Sequence, residues 1–430
     1  MDIELKSDFL RVMQERGFIH QCTNLAALDE VMATGPMKAY IGFDLTADSL
    51  HVGSLIQLMV LRHLISTGHT PVILFGGATT RIGDPTGKDS MRPQLTPDQI
   101  ETNEVGILKV VDRIVGRFAL DQKKNVPTIL NNLTWMQPSR TLDYLREYGP
   151  HFTINRMLTL DSVKTRLERQ QPMTFLEFNY MLFQAIDFRW LNSNCDIELQ
   201  IGGSDQWGNI VNGVDLIRRM DGEQAYGLTT PLLANSAGEK MGKTAGGAVW
   251  LDPDKTSPFD FWQFWYNIED GKVASFLRLF TELDLPTIRD ICALDILESK
   301  SILATEITSV VHGHEKALEV LDTVNKAKRG EPGEDLVLIS CTTSIYSGVH
   351  GYCTWADMFA EDPTGEPNLS KGETTRLVAN GGIKLDGVKL TDAREFVKDT
   401  VRNRHLQGKT VLLTIGKKRA FRISFPEERT

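Results

Sequence analysis

The chain has little cysteine, five in 430 residues, at positions 22, 195, 292, 341 and 353, and no Cys-x-x-Cys pair. That spacing excludes a disulfide framework and a zinc knuckle. It has no apolar run of about 18 residues, so no membrane-spanning helix is expected. The first residues, Met-Asp-Ile-Glu-Leu-Lys-Ser-Asp, lack the composition of a signal or transit segment, which makes the cytoplasm the expected compartment. There is no internal repeat and no low-complexity stretch. Positive charge is not in surplus either. The net charge of -9 excludes a basic nucleic-acid coat and gives no reason to expect DNA binding. His312 and His314 are two apart, on different sides of a helix, and are expected at the surface rather than on a metal.

What remains is an ordinary globular composition, 41% hydrophobic and 24% charged, long enough for about two to four domains. The charge is unevenly placed. Residues 371–430 hold fourteen Lys and Arg against seven Asp and Glu, which leaves -16 on the rest of the chain. A basic tail on an acidic body points to a polyanion partner, or to a solvated lysine-rich surface.

The stretch from Tyr40 to Ser54 organises the chain. Lys38 to Phe43 reads as a buried strand with a small break at Gly42, Asp44 to Ser49 as a polar turn, and Leu55, Leu58, Met59 and Ile65 as helical spacing. His51-Val52-Gly53-Ser54 then sits where a strand hands over to a helix. Unpaired N–H groups pointing outward there would suit a phosphate, and Gly53 would let a nucleotide approach the backbone. The spacing alone equally suits an ordinary turn with a surface histidine.

Further along, residues 4–16 and a segment after Asn24 read as helices, and Thr70 to Phe75, Thr128 to Leu130 and Ile197 to Ile201 as strands. Strands alternating with helices predict an α/β class: a Rossmann-like doubly wound parallel sheet. Its ligands would bind where the loops after Phe43, Phe75 and Ile201 open. Residues 239–247 read as a mobile glycine-rich loop carrying two lysines. Residues 256–330 read as helical, with Phe259, Phe261, Trp262, Phe264 and Trp265 as core. Gly and Pro at 330–367 suggest a linker, and two hairpins follow a helix in the tail. The domains expected are 1–235, a catalytic domain; 236–330, a lysine loop and helical domain; 331–370, a linker; and 371–430, a small basic α+β domain.

Five blocks carry a resemblance. They are Tyr40 to Ser54; Gly76-Gly-Ala-Thr-Thr-Arg-Ile-Gly-Asp84-Pro-Thr-Gly-Lys88; Tyr180-Met-Leu-Phe-Gln184-Ala-Ile-Asp187; Gln200-Ile-Gly-Gly-Ser-Asp-Gln206-Trp-Gly-Asn; and Lys240-Met-Gly-Lys243-Thr244. In this order, over about residues 30–270, the chain resembles bacterial-type tyrosyl-tRNA synthetases, of the class I aminoacyl-tRNA synthetases. Its tail is similar to a small RNA-binding fold shared with a ribosomal protein. Two departures stand out: Ser54 replaces the usual second histidine of the first motif, and Gly242 a serine of the lysine loop.

The resemblance implies formation of tyrosyl-adenylate from L-tyrosine and ATP, then transfer to tRNA, which the helical domain at 236–330 and the small basic domain at 371–430 would bind. ATP would be a substrate, accompanied by Mg2+, with no cofactor held by the protein, and the chain would be a homodimer whose dimer-forming insertion lies within 1–235. Tyr40 and Asp187 would meet the tyrosine hydroxyl, Asp84, Tyr180 and Gln184 its ammonium, and Gln206 its carboxylate or the ribose region. Gly42, Asp44, Gly53, Ser54, Gly203 and Asp205 would line the ATP site. Thr46, His51, Lys240, Lys243 and Thr244 would act on the phosphates. Lys88 and Arg92 would join them or remain surface charge. Tyr180, Gln184 and Asp187 are spaced by four and three, one face of one helix.

Overall fold

The computed structural model describes residues 4–86, 94–137, 140–234, 241, 243–244, 247–329, 338–340, 354–360, 369–415 and 419–425. They form two compact units, Met1–His314 and Glu315–Thr430.

The first unit is built on six strands: β1 (Gln21–Cys22), β2 (Lys38–Asp44), β3 (Thr70–Gly76), β4 (Thr128–Asn131), β5 (Ile197–Gly203) and β6 (Tyr226–Thr230). Their order is β1-β6-β5-β2-β3-β4. Only β1 runs antiparallel to its neighbour. From β2 the chain moves outward through β3 and β4, and from β5 the other way to β6. The doubly wound class is therefore present, with the switch in direction between β2 and β5. β3 is buried along nearly its whole length, as a strand covered on both faces must be. β2 passes through Gly42 without a break.

Helix Val52–Ser66 buries twelve of its fifteen residues and lies inside the unit rather than on its surface. The first helix begins at Asp8 and not at residue 4, because the Ser7 hydroxyl caps it by accepting from Leu10 N–H, and Gly17 ends it at φ 85°. Helices Pro258–Tyr266, Val273–Phe280, Leu285–Cys292 and Ile296–His312 fill the region read as helical. Phe261, Trp262 and Trp265 are buried there, with Phe259 and Phe264 partly so. His312, expected at the surface, is half-buried with its ring edge-on to Phe261 at 4.8 Å. Burial, and then the Arg113 charge, push its pKa down to about 3. His314 is exposed, as expected.

The second unit holds five strands: β9 (Leu338–Ser340), β10 (Ile383–Leu385), β11 (Val388–Lys389), β12 (Thr410–Ile415) and β13 (Arg419–Ser424), with a two-residue-strand hairpin of the first unit, Lys243–Thr244 and Gly247–Ala248, counted as β7 and β8. The order is β11-β10-β12-β13-β9. Both tail hairpins are present, the first turning at Asp386-Gly387 with φ 46° and 76°. The lysines expected at the tip of the second, Lys417 and Lys418, lie outside the described residues, as does the side chain of Arg419.

The expected linker at 331–370 is not one throughout. β9 pairs in parallel with β13, and helix Trp355–Ala360 puts Trp355, Met358 and Phe359 into one core with Val378, Ile383, Leu413 and Ile423. Trp355 is fully buried and its indole N–H donates to Thr400 Oγ1 at 2.8 Å. Trp355→Ala should cost the second unit about 3–5 kcal/mol. In a urea melt of the full chain this should split off an earlier transition; an unaltered melt would show that the indole is not part of the core.

Candidate active site

A cavity of about 580 Å³ opens where β2, β3 and β5 end. It brings together fourteen residues singled out from the sequence: Tyr40, Gly42, Asp44, Thr46, His51, Gly53 and Ser54 from the first block, Asp84 from the second, Tyr180, Gln184 and Asp187 from the third, and Gly203, Asp205 and Gln206 from the fourth. Lys88, Arg92 and Lys240 lie outside the described residues. Lys243 and Thr244 are described as backbone only.

The floor is polar and closed. Asp187, on helix Phe175–Cys195, is 2% exposed. Its carboxyl accepts from Asn132 Nδ2 and Trp135 Nε1, each at 2.8 Å. Burial nevertheless raises its pKa from 3.8 to about 7, with the Asp44 charge adding to the rise. The Tyr40 hydroxyl is buried beside it without a hydrogen-bond partner among the described residues.

Asn132 and Trp135 went unread in the sequence. They follow β4, whose end opens on the same edge as the other three loops, and that is the signal that could have found them. Asn132 is held from the other side: Ala78 N–H donates to its Oδ1 at 2.7 Å, and its Nδ2 also reaches Thr79 Oγ1 at 3.2 Å. Trp135 stacks on Trp190 with 4.0 Å between ring centroids.

Above the floor, the Tyr180 hydroxyl donates to Asp44 Oδ2 at 3.1 Å, and Thr79 Oγ1 donates to Asp44 Oδ1 at 2.8 Å. Burial, then Asp44 and Asp84, push the Tyr180 hydroxyl well above its usual pKa. Gln206 Nε2 donates to Asp84 Oδ2 at 2.9 Å, and Asn209 Nδ2 donates to Gln206 Oε1. Two carboxylates, a phenol and an amide therefore share one wall.

At the mouth the structure differs from the expected turn. The first N–H groups of helix Val52–Ser66 are not unpaired. Gly53 N–H donates to His51 Nδ1 at 2.9 Å, Val52 N–H to Val249 O at 3.0 Å, and Ser54 N–H to His51 O at 2.8 Å. His51 caps its own helix, which places the proton of a neutral imidazole on Nε2. A Cβ at position 53 would stand 2.6 Å from His51 Cε1, so a side chain there would push the imidazole out of its capping position.

Trp250 bridges to His51, and Leu251 N–H donates to Leu50 O at 2.8 Å. Residues 249–251 thus pair with 50–52. They continue from the β7–β8 hairpin, which is the described part of the loop expected to be irregular. Met241 N–H, on the other side of that hairpin, donates to Leu233 O.

The Asp187 carboxyl has a testable consequence. As pH rises, the unfolded chain releases this proton before the folded one does. The stability it contributes is complete below about pH 4 and is lost as pH climbs through 7. Between those limits the urea midpoint of the first unit should fall less in Asp187→Asn than in the wild type. Parallel profiles would mean that the carboxyl does not titrate there.

The family model "tRNA synthetases class I (W and Y)" matches residues 32–328. A tyrosine--tRNA ligase of Caulobacter vibrioides is 48% identical over 397 residues, spanning 91% of this chain and 92% of the relative. One of Rhodospirillum rubrum is 47% identical over 421 residues, 96% of this chain and 97% of the relative. The crystal structure of a C-terminally truncated mitochondrial tyrosyl-tRNA synthetase of Aspergillus nidulans matches with a TM-score of 0.67 at 31% identity, covering 74% of this chain and 94% of that one. With matches of that extent, and the cavity built from the same blocks, the chain belongs to the class I tRNA synthetases of the tryptophan and tyrosine family.

Proposed function

We propose that the chain is a tyrosine--tRNA ligase, and that the Tyr40–Asp187 floor selects the amino acid. A phenol oxygen can accept from the Tyr40 hydroxyl while its proton goes to Asp187. An indole has one N–H and no acceptor for Tyr40, which sets tryptophan aside. Phenylalanine would leave the Tyr40 hydroxyl unpaired and give Asp187 no donor beyond Asn132 and Trp135.

On this reading Asp84, Tyr180 and Gln184 take the ammonium. Asp44, bonded to Tyr180, contributes to the same wall as well as to the nucleotide side. Gln206 meets the carboxylate or ribose, Asp205 the ribose hydroxyls, and Gly42, Gly53, Ser54 and Gly203 the nucleotide. A carboxylate oxygen of tyrosine attacks the α-phosphorus of ATP, the bond to the β-phosphate oxygen breaks, and pyrophosphate leaves with that electron pair. The nucleophile is already ionised, so no general base is needed, and the rate comes from position and charge. Thr46 and His51, with Lys88, Arg92, Lys240, Lys243 and Thr244, stabilise the leaving phosphates. Magnesium is assigned to the incoming ATP as its counter-ion. A hydroxyl oxygen at the 3′ end of the tRNA then attacks the tyrosyl carbonyl carbon, the bond from that carbon to the phosphate oxygen breaks, and AMP leaves with the electron pair as the hydroxyl proton passes to a phosphate oxygen.

The second unit supplies tRNA affinity and no chemistry. Leu142, Leu145, Ile154 and Phe175 are exposed apolar residues of the first unit, and we assign them to the seam of a homodimer. The compartment that fits tRNA charging is the cytoplasm.

Asp187→Asn should narrow the ratio of kcat/KM for tyrosine over phenylalanine by roughly tenfold or more, since an amide also donates and a charged hydrogen bond is lost. An unchanged ratio with a slower activation step would remove Asp187 from recognition. Deleting 331–430 should leave tyrosine-dependent pyrophosphate exchange and the dimer intact while weakening tRNA charging. The log–log salt dependence of tRNA binding should flatten by roughly 0.7–0.9 for each phosphate that the shortened chain no longer neutralises. If exchange falls together with charging and the salt slope is unaltered, the second unit packs on the body without an RNA role.

A further inference from the structure

We propose that Arg113 is a positioning residue for the activation step: from a π turn it clasps the strand segment that holds the His51 turn in place. The inference rests on the reading that His51 acts on the phosphates.

Helix Pro97–Val111 does not end normally. It passes into a π turn, Asp112–Gly116, before resuming at Arg117. Such turns are uncommon and recur at functional sites. Arg113, in this turn, donates from Nη2 to Leu251 O at 2.8 Å, across 138 residues of chain. Leu251 is fully buried, and its own N–H donates to Leu50 O. A charged donor in a half-buried place therefore holds the end of the 249–251 segment, which itself pairs with 50–52. Asp252, Arg117 and Asp254 are the charges that act on the guanidinium, and the neutral imidazole of His312 lies within its field.

The same helix also registers the turn that precedes His51. Asn103 Nδ2 donates to Leu45 O at 2.8 Å. At Gly106 the approach is so close that a Cβ would stand 2.0 Å from Asp48 O. One helix thus fixes residues 45–48 directly and residues 50–52 through Arg113 and Leu251. The π turn is anchored in turn by Arg62, which donates to Ile114 O at 2.8 Å, lies 3.9 Å over the Phe118 ring and pairs with Glu282. None of these groups reaches Tyr40 or Asp187, so the clasp bears on the mouth of the cavity and not on its floor. Lys255, paired with Asp48 at 2.8 Å, is a second tether between the segment after 251 and the turn before His51.

The test uses the full chain. Arg113→Met keeps the stem and removes the donors; Arg113→Lys returns one. Arg113→Met should lower kcat for tyrosine-dependent pyrophosphate exchange roughly tenfold to a hundredfold, as loss of one hydrogen bond from a charged donor would. Tyrosine binding without ATP should stay within about twofold, since the floor is untouched. Arg113→Lys should recover part of the rate. In a His51→Ala background, Arg113→Met should add less than about threefold, because effects passing through one element do not add. A full rate in Arg113→Met overturns the proposal, as does a rate loss matched by equal loss of tyrosine binding, or full addition in the double variant. A full rate in His51→Ala overturns the role given to His51 itself, and with it the route assigned to Arg113.

Discussion

A carboxyl group shut away from water is expensive, and the closed end of the first unit is arranged around that cost. Asp187 has two donors, an amide and an indole, and neither is free to drift. Asn132 is tied to the loop after β3 through Ala78 and Thr79. Trp135 is pressed against Trp190, which lies on the same helix as Asp187. The end of β4, the loop after β3 and helix Phe175–Cys195 are thereby locked to one another by a group that is still short of full compensation, as its raised titration shows. What is missing is a further donor, and the cavity is where one can arrive.

Much of this was legible in residues and some was not. Apolar runs bounded by Gly and polar loops marked β2, β3 and β5, because a strand buried on both faces has to be apolar throughout; β4 was marked by a short run alone. The blocks at the ends of those strands marked the cavity for the same reason of topology. Asn132 and Trp135 gave no such signal: β4 is short, its first two residues are exposed, and the partner of both is more than fifty positions away. The spacing at 51–54 showed that a helix starts there. It could not show that an imidazole folds back onto the helix, nor that a segment nearly 200 residues on would take Val52 N–H. His312 and His314 were expected on two sides of one helix; Gly313 at φ 95° ends that helix at His312 and His314 opens the next, and nothing local said that His312 would face Phe261.

Charge counting was informative about the second unit only to a degree. Its basic excess points toward a polyanion, yet not every cation there faces outward to meet one. Arg404 spends its guanidinium on Val388 O and Lys389 O, bracing the β10–β11 hairpin, and Lys371 is paired with Asp357. In the same way the Gly and Pro count of 330–367 gave no sign that Trp355, Met358 and Phe359 would join the core of the second unit.

The His51 cap ties two positions into a single evolutionary unit. Glycine is a poor residue for the first turn of a helix, by roughly 1 kcal/mol against alanine, and Gly53 is there because the imidazole occupies the space a methyl group would fill. Substitution at 53 alone displaces the imidazole, whereas substitution at 51 first removes that clash. The order of the two steps therefore matters. A lineage that once lost His51 and then gained a side chain at 53 would find the way back closed, its more stable helix holding the imidazole out.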